Sequence, residues 1–296
     1  MSEWVIGIIG GSGLYEIDAL EDAQWIEVDT PWGKPSDALR TGRIGGVRFV
    51  FLPRHGRGHR IGPSHLNYRA NVDALKRAGC TDLVAISAVG SLREDLPPGR
   101  FVVVDQYLDR TVAREASFFG PGLVAHVSMA DPTCPRLSAL AADGAEAAGA
   151  PVTRGGCYIA IEGPQFSTRA ESRAYRGWGA DVVGMTGMPE ARLAREAELP
   201  YASVCMVTDF DSWRDGATVD VAEIVAGLHG NAGTARRLVV ELANRLPATR
   251  PPSPIDTALD DAILTAPAAR DPAMIAKLDA ICGRVLGARP ASGPAA

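Results

Sequence analysis

The run Trp4-Val5-Ile6-Gly7-Ile8-Ile9-Gly10-Gly11-Ser12-Gly13 sets the fold class. Its apolar half falls far short of the roughly 20 residues of a membrane span. It also lacks the basic start and longer apolar stretch of a signal peptide. It reads as a buried strand. The glycines that close it expose backbone N–H groups in a concave nest where an anion can bind, and Ser12 adds a hydroxyl. An ordinary tight turn accounts for the same residues. The loop has no Lys-[Ser/Thr] of a P-loop, and Glu16 stands where the dinucleotide fingerprint needs its third glycine.

Outward from that strand, short β-branched runs recur at Trp25–Asp29, Val47–Leu52, Leu83–Ser87, Phe101–Asp105, Val182–Val183 and Ala202–Thr208, and read as largely buried strands. Ala-rich helical stretches separate them. Ser64 is placed to cap a helix running to about Ala78, with Gly79 as its left-handed stop. Thr168 to Glu171 has capping-box spacing, Pro189-Glu190 opens a further helix, and the longest helical pattern runs from near Thr218 to Arg245. Such alternation predicts an α/β domain with helices covering a sheet.

Pro247, Pro251, Pro252 and Pro254 then form a linker, which divides the chain into residues 1–246, 247–254 and 255–296. The last part shows helical patterns at Ile255–Leu264 and Pro272–Leu286. It is too small for a core of its own and must pack on the parent domain or on a neighbouring subunit.

The chain has 296 residues with 30 Lys+Arg against 35 Asp+Glu, a net charge of −5. This balance excludes the strongly basic surface of a nucleic-acid binder. With 46% hydrophobic and 22% charged residues it is a globular chain with ample core. Five cysteines without a C-x-x-C pair fit neither a disulfide framework nor a structural zinc site, and point to a reducing, cytoplasmic setting.

Chemistry collects at the strand ends. Arg54-His55-Gly56-Arg57, with His59 and Arg60, follows Val47–Leu52 and suits a multiply charged anion; a solvated basic turn would look the same. Ser87-Ala88-Val89-Gly90-Ser91 and Met185-Thr186 put small hydroxyl donors at two more strand ends. Thr208-Asp209-Phe210-Asp211-Ser212-Trp213 sends two carboxylates at i and i+2 off one strand, beside aromatic rings. Paired acids serve a metal, a glycosidic bond or a base edge. Metal is disfavoured because no further ligand-type residues accompany them at ligand spacing.

These segments, with Glu162-Gly163-Pro164-Gln165-Phe166, occur in the order and approximate spacing of a known family. From about residue 4 to 245 the chain resembles the trimeric purine nucleoside phosphorylases, most closely the branch that acts on S-methyl-5′-thioadenosine. The resemblance implies a single domain with a twisted mixed β-sheet flanked by helices and a C-terminal helical tail. It implies a phosphate site of Ser12, Arg54, His55, Ser87, Ala88 and Thr186, where relatives can carry Thr at the position of Ser87. Phe166 would lie against the purine, Met185 against the ribose, and Asp209 with Asp211 at the purine's edge. A neighbouring subunit of a homotrimer would close the 5′ end with His126, the region from Val219 to Val225, including Val221, Ile224 and Val225, and the tail near Ile263-Leu264. Helical spacing alone fits Val219, Ile224 and Val225 equally well to core positions.

The residues also suggest which purine. Adenine offers an acceptor at N7 and a donor at N6, whereas a 6-oxopurine accepts at both. An ionised Asp211 accepts from N6–H and a protonated Asp209 donates to N7. Relatives that select 6-oxopurines tend to carry Asn at the position of Asp209. The expected reaction is phosphorolysis with Asp209 as general acid, its pKa raised by burial and by the charge of Asp211. It needs no cofactor or metal, only inorganic phosphate as co-substrate. Phosphorylases of adenosine or methylthioinosine, a hydrolytic nucleosidase and a non-catalytic nucleotide-binding scaffold are the rival readings.

Overall fold

The computed structural model describes residues 3–11, 13–214 and 220–287. Numbered in chain order, the strands are β1 (Val5–Gly10), β2 (Glu21–Ile26), β3 (Leu39–Ile44), β4 (Val47–Pro53), β5 (Asp82–Ser91), β6 (Phe101–Val104), β7 (Gln106–Arg110), β8 (Val152–Arg154), β9 (Cys157–Ile161), β10 (Val182–Gly184) and β11 (Tyr201–Asp209). The helices are α1 (Tyr68–Arg77), α2 (Pro135–Ala147), α3 (Arg169–Gly177), α4 (Gly187–Glu196), α5 (Val221–Arg245), α6 (Pro272–Lys277) and α7 (Asp279–Leu286).

The strands form one mixed sheet in the order β2-β3-β4-β1-β5-β10-β9-β7, and β11 joins β5 to β6 and β8. β5 decides where a site can form. Along one edge it pairs with β11 in parallel from Leu83 to Gly90. Along the other it pairs first with β1, at Asp82 to Ala85, and then with antiparallel β10, at Gly90 and Ser91. Between those two partners the edge from Ile86 to Val89 is left open. A crevice where strand direction changes, at the carboxyl ends of parallel strands, is the usual binding position in an open α/β sheet.

Alternation along the central strands sends successive side chains to opposite faces. Ile6, Ile8, Val84, Ile86, Val204 and Met206 enter one core, which α2 and α5 cover through Leu137, Ala141, Leu238 and Leu242. Ile9, Leu83, Ala85, Cys205 and Val207 enter the other, covered by α1 and α4 through Val72, Leu75, Ala191 and Ala194. The tail belongs to the same chain's cores. Leu259, Leu278, Ile281 and Cys282 are buried in the α1 and α4 layer, and Ile255 in the opposite one. Arg250 fastens the linker by pairing with Asp82 and, at 2.7 Å, with Asp256. Four cysteines are buried, Cys157 is half-buried, and all five are free thiols.

Several local expectations change. Ser64 does not cap α1; Asn67 does, accepting from the Ala70 N–H, while the Ser64 hydroxyl donates to the Glu162 carbonyl at 2.7 Å. The Trp25 run is not a buried strand: β2 spans Glu21–Ile26 and is exposed along most of its length at the sheet edge. Its apolar residues suggest burial, but among the described strands it pairs with β3 alone, at the end of the sheet order. Ile255–Leu264 forms a 3₁₀ turn at Pro254–Thr257 followed by turns, because Pro254 opens too short a run to nucleate a helix. The pattern over Pro272–Leu286 breaks into α6 and α7 at Leu278. By contrast, Gly79 has φ +85° at the end of α1, and Thr168 with Glu171 makes the full capping box of α3. Asp220 caps α5; Thr218, where the pattern began, lies outside the described residues.

Candidate active site

Arg54 leaves the end of β4 and turns inward, its side chain 2% exposed. Its Nε donates to Glu190 Oε2 at 3.0 Å, and its Nη2 to Glu190 Oε1 and the Ile9 carbonyl, each at 3.2 Å. Nη1 donates to the Ile86 carbonyl at 3.3 Å, which leaves one of the five N–H donors uncommitted beside the open edge of β5. Burial opposes the guanidinium's charge, and Glu190, itself held by the Tyr201 hydroxyl at 2.8 Å, keeps it protonated. The rest of the basic cluster separates from Arg54. Arg57 turns to Asp37 at 2.9 Å and lies 4.4 Å from the Trp25 ring centroid, and Arg60 donates to the Ser36 carbonyl.

His55 stacks on His59 with centroids 4.3 Å apart. Its Nδ1 is 2.9 Å from the Ile61 carbonyl, which can only accept, so Nδ1 carries the proton and Nε2 keeps a lone pair. Burial, then the charge of Arg54, pushes the imidazole pKa down to about 4. Near neutral pH His55 is therefore an acceptor, fit to bind a protonated phosphate oxygen.

Ser87 and Ala88 are half-buried on the open stretch of β5. Thr186 is buried just past β10, its N–H donating to the Tyr158 hydroxyl at 3.2 Å. Met185 precedes it and packs against the core cluster around Ile159 and Val183. The loop from Gly163 to Thr168 lies on this same turn. Gly163 has φ +67°, and a Cβ there would stand 2.5 Å from Met185 Sδ, so glycine lets the two loops approach without strain or a shift of Met185. Phe166 rides on that loop with 43% of its surface exposed.

At the end of β11 a register shift between Val207 and Asp209 re-aims the chain. Asp209 Oδ1 accepts from the Asp211 N–H and Oδ2 from the Thr208 hydroxyl, both at 2.8 Å. Gly90 of β5 makes room for the pair, since a Cβ there would lie 3.0 Å from Asp209 Oδ1 and 3.2 Å from Asp211 Cβ. Burial raises the pKa of Asp209 against those two hydrogen bonds. The expected second cause, repulsion by Asp211, acts on the other partner: burial raises the pKa of Asp211, and the charge of Asp209 adds to it. Asp211 holds φ +49° and is buried, with the Ser172 and Ser167 hydroxyls and the Ser212 backbone lowering its pKa against burial. The two serine hydroxyls are buried beside the carboxylate and lack a closely aligned partner among the described residues.

Arg54, His55, Ser87, Ala88, Met185, Thr186, Asp209 and Asp211 thus gather around one opening in the sheet. Ser12 and Val219 lie outside the described residues, although Gly10 beside Ser12 accepts the Arg54 N–H at 2.9 Å. Val221, Ile224 and Val225 are on the first turns of α5 and belong to no core cluster. Val221 and Val225 are 60% and 43% exposed, which sets Val225 apart from a core position, while Ile224 is half-buried. His126 is exposed on a ribbon where its backbone N–H donates to the Ala262 carbonyl and that of Leu264 to the Val124 carbonyl. Among the described residues no three His, Cys, Asp or Glu side chains group as metal ligands.

Sequence reasoning missed Glu190, Tyr201, Ser167, Ser172 and Arg114. Glu190 carried a misleading signal, since an acid in the first turn of a helix needs no other reason. Arg114 carried none. Its side chain is 1% exposed, and it donates to the carbonyls of Met185, Met188, Ile161 and Glu162 and to the Tyr68 hydroxyl.

Residues 5–244 match the model of the phosphorylase superfamily. The chain is 60% identical over 285 residues to the S-methyl-5′-thioadenosine phosphorylase of Cereibacter sphaeroides, covering 95% of this chain and 98% of that one. It is 56% identical to the protein of that name from Bradyrhizobium diazoefficiens, covering 97% and 99%. Among solved structures it superposes with a TM-score of 0.89 at 43% identity on a methylthioadenosine phosphorylase sourced from an antarctic soil metagenomic library, covering 95% of this chain and 99% of that one. A methylthioadenosine phosphorylase from Schistosoma mansoni in complex with adenine gives a TM-score of 0.78 at 40% identity, covering 82% and 91%.

Proposed function

The chain belongs to the phosphorylase superfamily, and on that premise we propose that it catalyses phosphorolysis of S-methyl-5′-thioadenosine to adenine and 5-methylthioribose 1-phosphate. One observation carries the reading: Arg54, with His55 next to it in the chain, reaches β5 at Ile86, and a base-edge pair, Asp209 and Asp211, lies against Gly90 farther along the same strand.

Phosphate is held by the free Nη1 N–H of Arg54, by Nε2 of His55 accepting from a phosphate hydroxyl, by the hydroxyls of Ser12, Ser87 and Thr186, and by the backbone at Ala88. Phe166 lies against the purine and Met185 against the ribose. Asp211 accepts from the exocyclic amino group at its buried carboxylate, beside the Ser167 and Ser172 hydroxyls. Asp209 protonates N7 as the glycosidic electrons move into the purine. Phosphate stabilises the positive charge growing on the sugar and attacks the anomeric carbon. A 6-oxopurine would leave Asp211 unpaired, and a site built for specific hydrogen bonds rejects such an analogue by as much as ~10⁴–10⁵.

The working unit is a homotrimer in which His126, Leu264 and the exposed start of α5 reach a neighbour's 5′ pocket. Support comes from Val124, Leu264, Val221 and Val225, which are exposed on this chain. No cofactor is required, and the free thiols fit a cytoplasmic setting. The test is adenine release from methylthioadenosine with and without inorganic phosphate. Release that depends on phosphate and yields a pentose 1-phosphate is expected; equal rates without phosphate would identify a hydrolase instead.

A further inference from the structure

Pairing of β10 with β9 ends at Gly184 and Ala160. Beyond that point the two chains carry different halves of the proposed site. One continues through Met185 and Thr186 to the phosphate and ribose, and the other through Glu162 and Gly163 to Phe166 and the purine. What ties them together there is Arg114. The two N–H groups of Nη1 face three acceptors, the carbonyls of Met185 and Met188, which flank Thr186, and the Tyr68 hydroxyl at 2.9 Å. Nη2 donates to the Glu162 carbonyl at 2.7 Å and to the Ile161 carbonyl at 3.3 Å, and Nε faces Glu162 Oε1 at 3.3 Å.

Burying a guanidinium is expensive, and packing alone would be served better by an apolar side chain. Here an apolar residue would take the Arg114 donor from four carbonyls, and that of Glu162 would keep the Ser64 hydroxyl. Lysine brings three donors from a single point, whereas arginine brings five in a rigid plane able to reach both chains at once. We propose that Arg114 is a positioning residue that couples the phosphate half of the site to the purine half, holding Thr186 and Phe166 at the separation the bound sugar requires. The proposal rests on the functional reading above, but it has a readout that needs no turnover.

Adenine affinity is measured by calorimetry with and without inorganic phosphate, on wild type, R114K, R114M and Y68F. Linkage is reciprocal, so the factor by which phosphate tightens adenine is also the factor by which adenine tightens phosphate. In wild type that factor is expected at about 10, within the usual range for coupled sites. In R114K and R114M it falls to about 1 while each ligand alone binds within about 3-fold of wild type, and Y68F lies between. Where turnover is measured, kcat of R114K drops about 100-fold with smaller changes in either KM, as expected for reactants held about 1 Å out of place. Should R114M fail to fold, R114K and Y68F decide. Undiminished coupling in R114K, no coupling in wild type, or a loss confined to the KM of one substrate would overturn the role. A chain that couples the two ligands yet releases no adenine from methylthioadenosine would overturn the reaction and leave Arg114's role standing.

Discussion

In the proposed reaction Asp209 has to hold a proton near neutrality and give it up on demand, and its surroundings act on both. Burial raises its pKa, while the Thr208 hydroxyl and the Asp211 N–H pull it back down by favouring the ionised form. Removing the hydroxyl in Thr208→Val lifts one of the lowering causes, so the pKa rises further. A general acid is lost as pH climbs through its pKa; the alkaline limb of the kcat profile should therefore move to higher pH. A limb that stays or moves down would contradict the assignment. Asp209→Asn matches the carboxyl in volume but has no proton for N7, and should lower methylthioadenosine turnover by ~10²–10⁴. Its activity on 6-oxopurines relative to 6-aminopurines should rise, because the amide can donate to O6. His55 makes an independent check. With its pKa pushed down to about 4, its imidazole resonance, assigned with His55→Gln, should hold the neutral position from pH 8 to about 5. A midpoint near the ordinary histidine value would mean that the ring is not sequestered as described. These identities were legible in the sequence because each followed an apolar run and ended it. The direction of the carboxylate repulsion was not, since it depends on which oxygen is already satisfied.

At the scale of elements, the Arg54–Glu190 pair joins the end of β4 to the first turn of α4 through the core. Breaking a buried pair leaves a charge uncompensated, at a typical cost of ~3–5 kcal/mol. Glu190→Ala should thus lower stability by about that amount in denaturant unfolding and weaken phosphate binding as Arg54 loses its orientation. A variant as stable as the wild type would show that Arg54 finds another partner. Which elements could be foreseen follows from how their signals arise. Thr168-x-x-Glu171 and Gly79 act within one turn, so the sequence carries the whole interaction. The short strands β8 and β9, flanked by glycines and polar residues, are made by pairing with β6, β7 and β10, partners far away in the chain. Ser64 failed as a cap because the Glu162 carbonyl, 98 residues distant, claims its hydroxyl.

For the molecule as a whole, the tail is part of the fold. Leu278, Ile281 and Cys282 are fully buried against α1 and α4, so truncation at Ile255 uncovers a core face as well as removing Leu264. The truncated chain should lose stability by several kcal/mol, at about 1.5–3 kcal/mol for each large apolar side chain uncovered, and any loss of methylthioadenosine affinity should accompany that loss. Native mass measurement should give about three times 31.1 kDa, and a fully active monomer would remove the shared pocket.

The placement of the cysteines has a practical consequence. Burial pushes the Cys80, Cys205 and Cys282 thiols up to about 12, and Cys134 is equally enclosed, so a thiol reagent meets only Cys157 on the folded chain. Each global opening hands over the other four. The molecule therefore carries its own unfolding clock: with reagent in enough excess for labelling to outpace reclosing, the kinetics beyond the first thiol report the opening rate without a dye or an engineered probe, and adding phosphate and adenine should slow them.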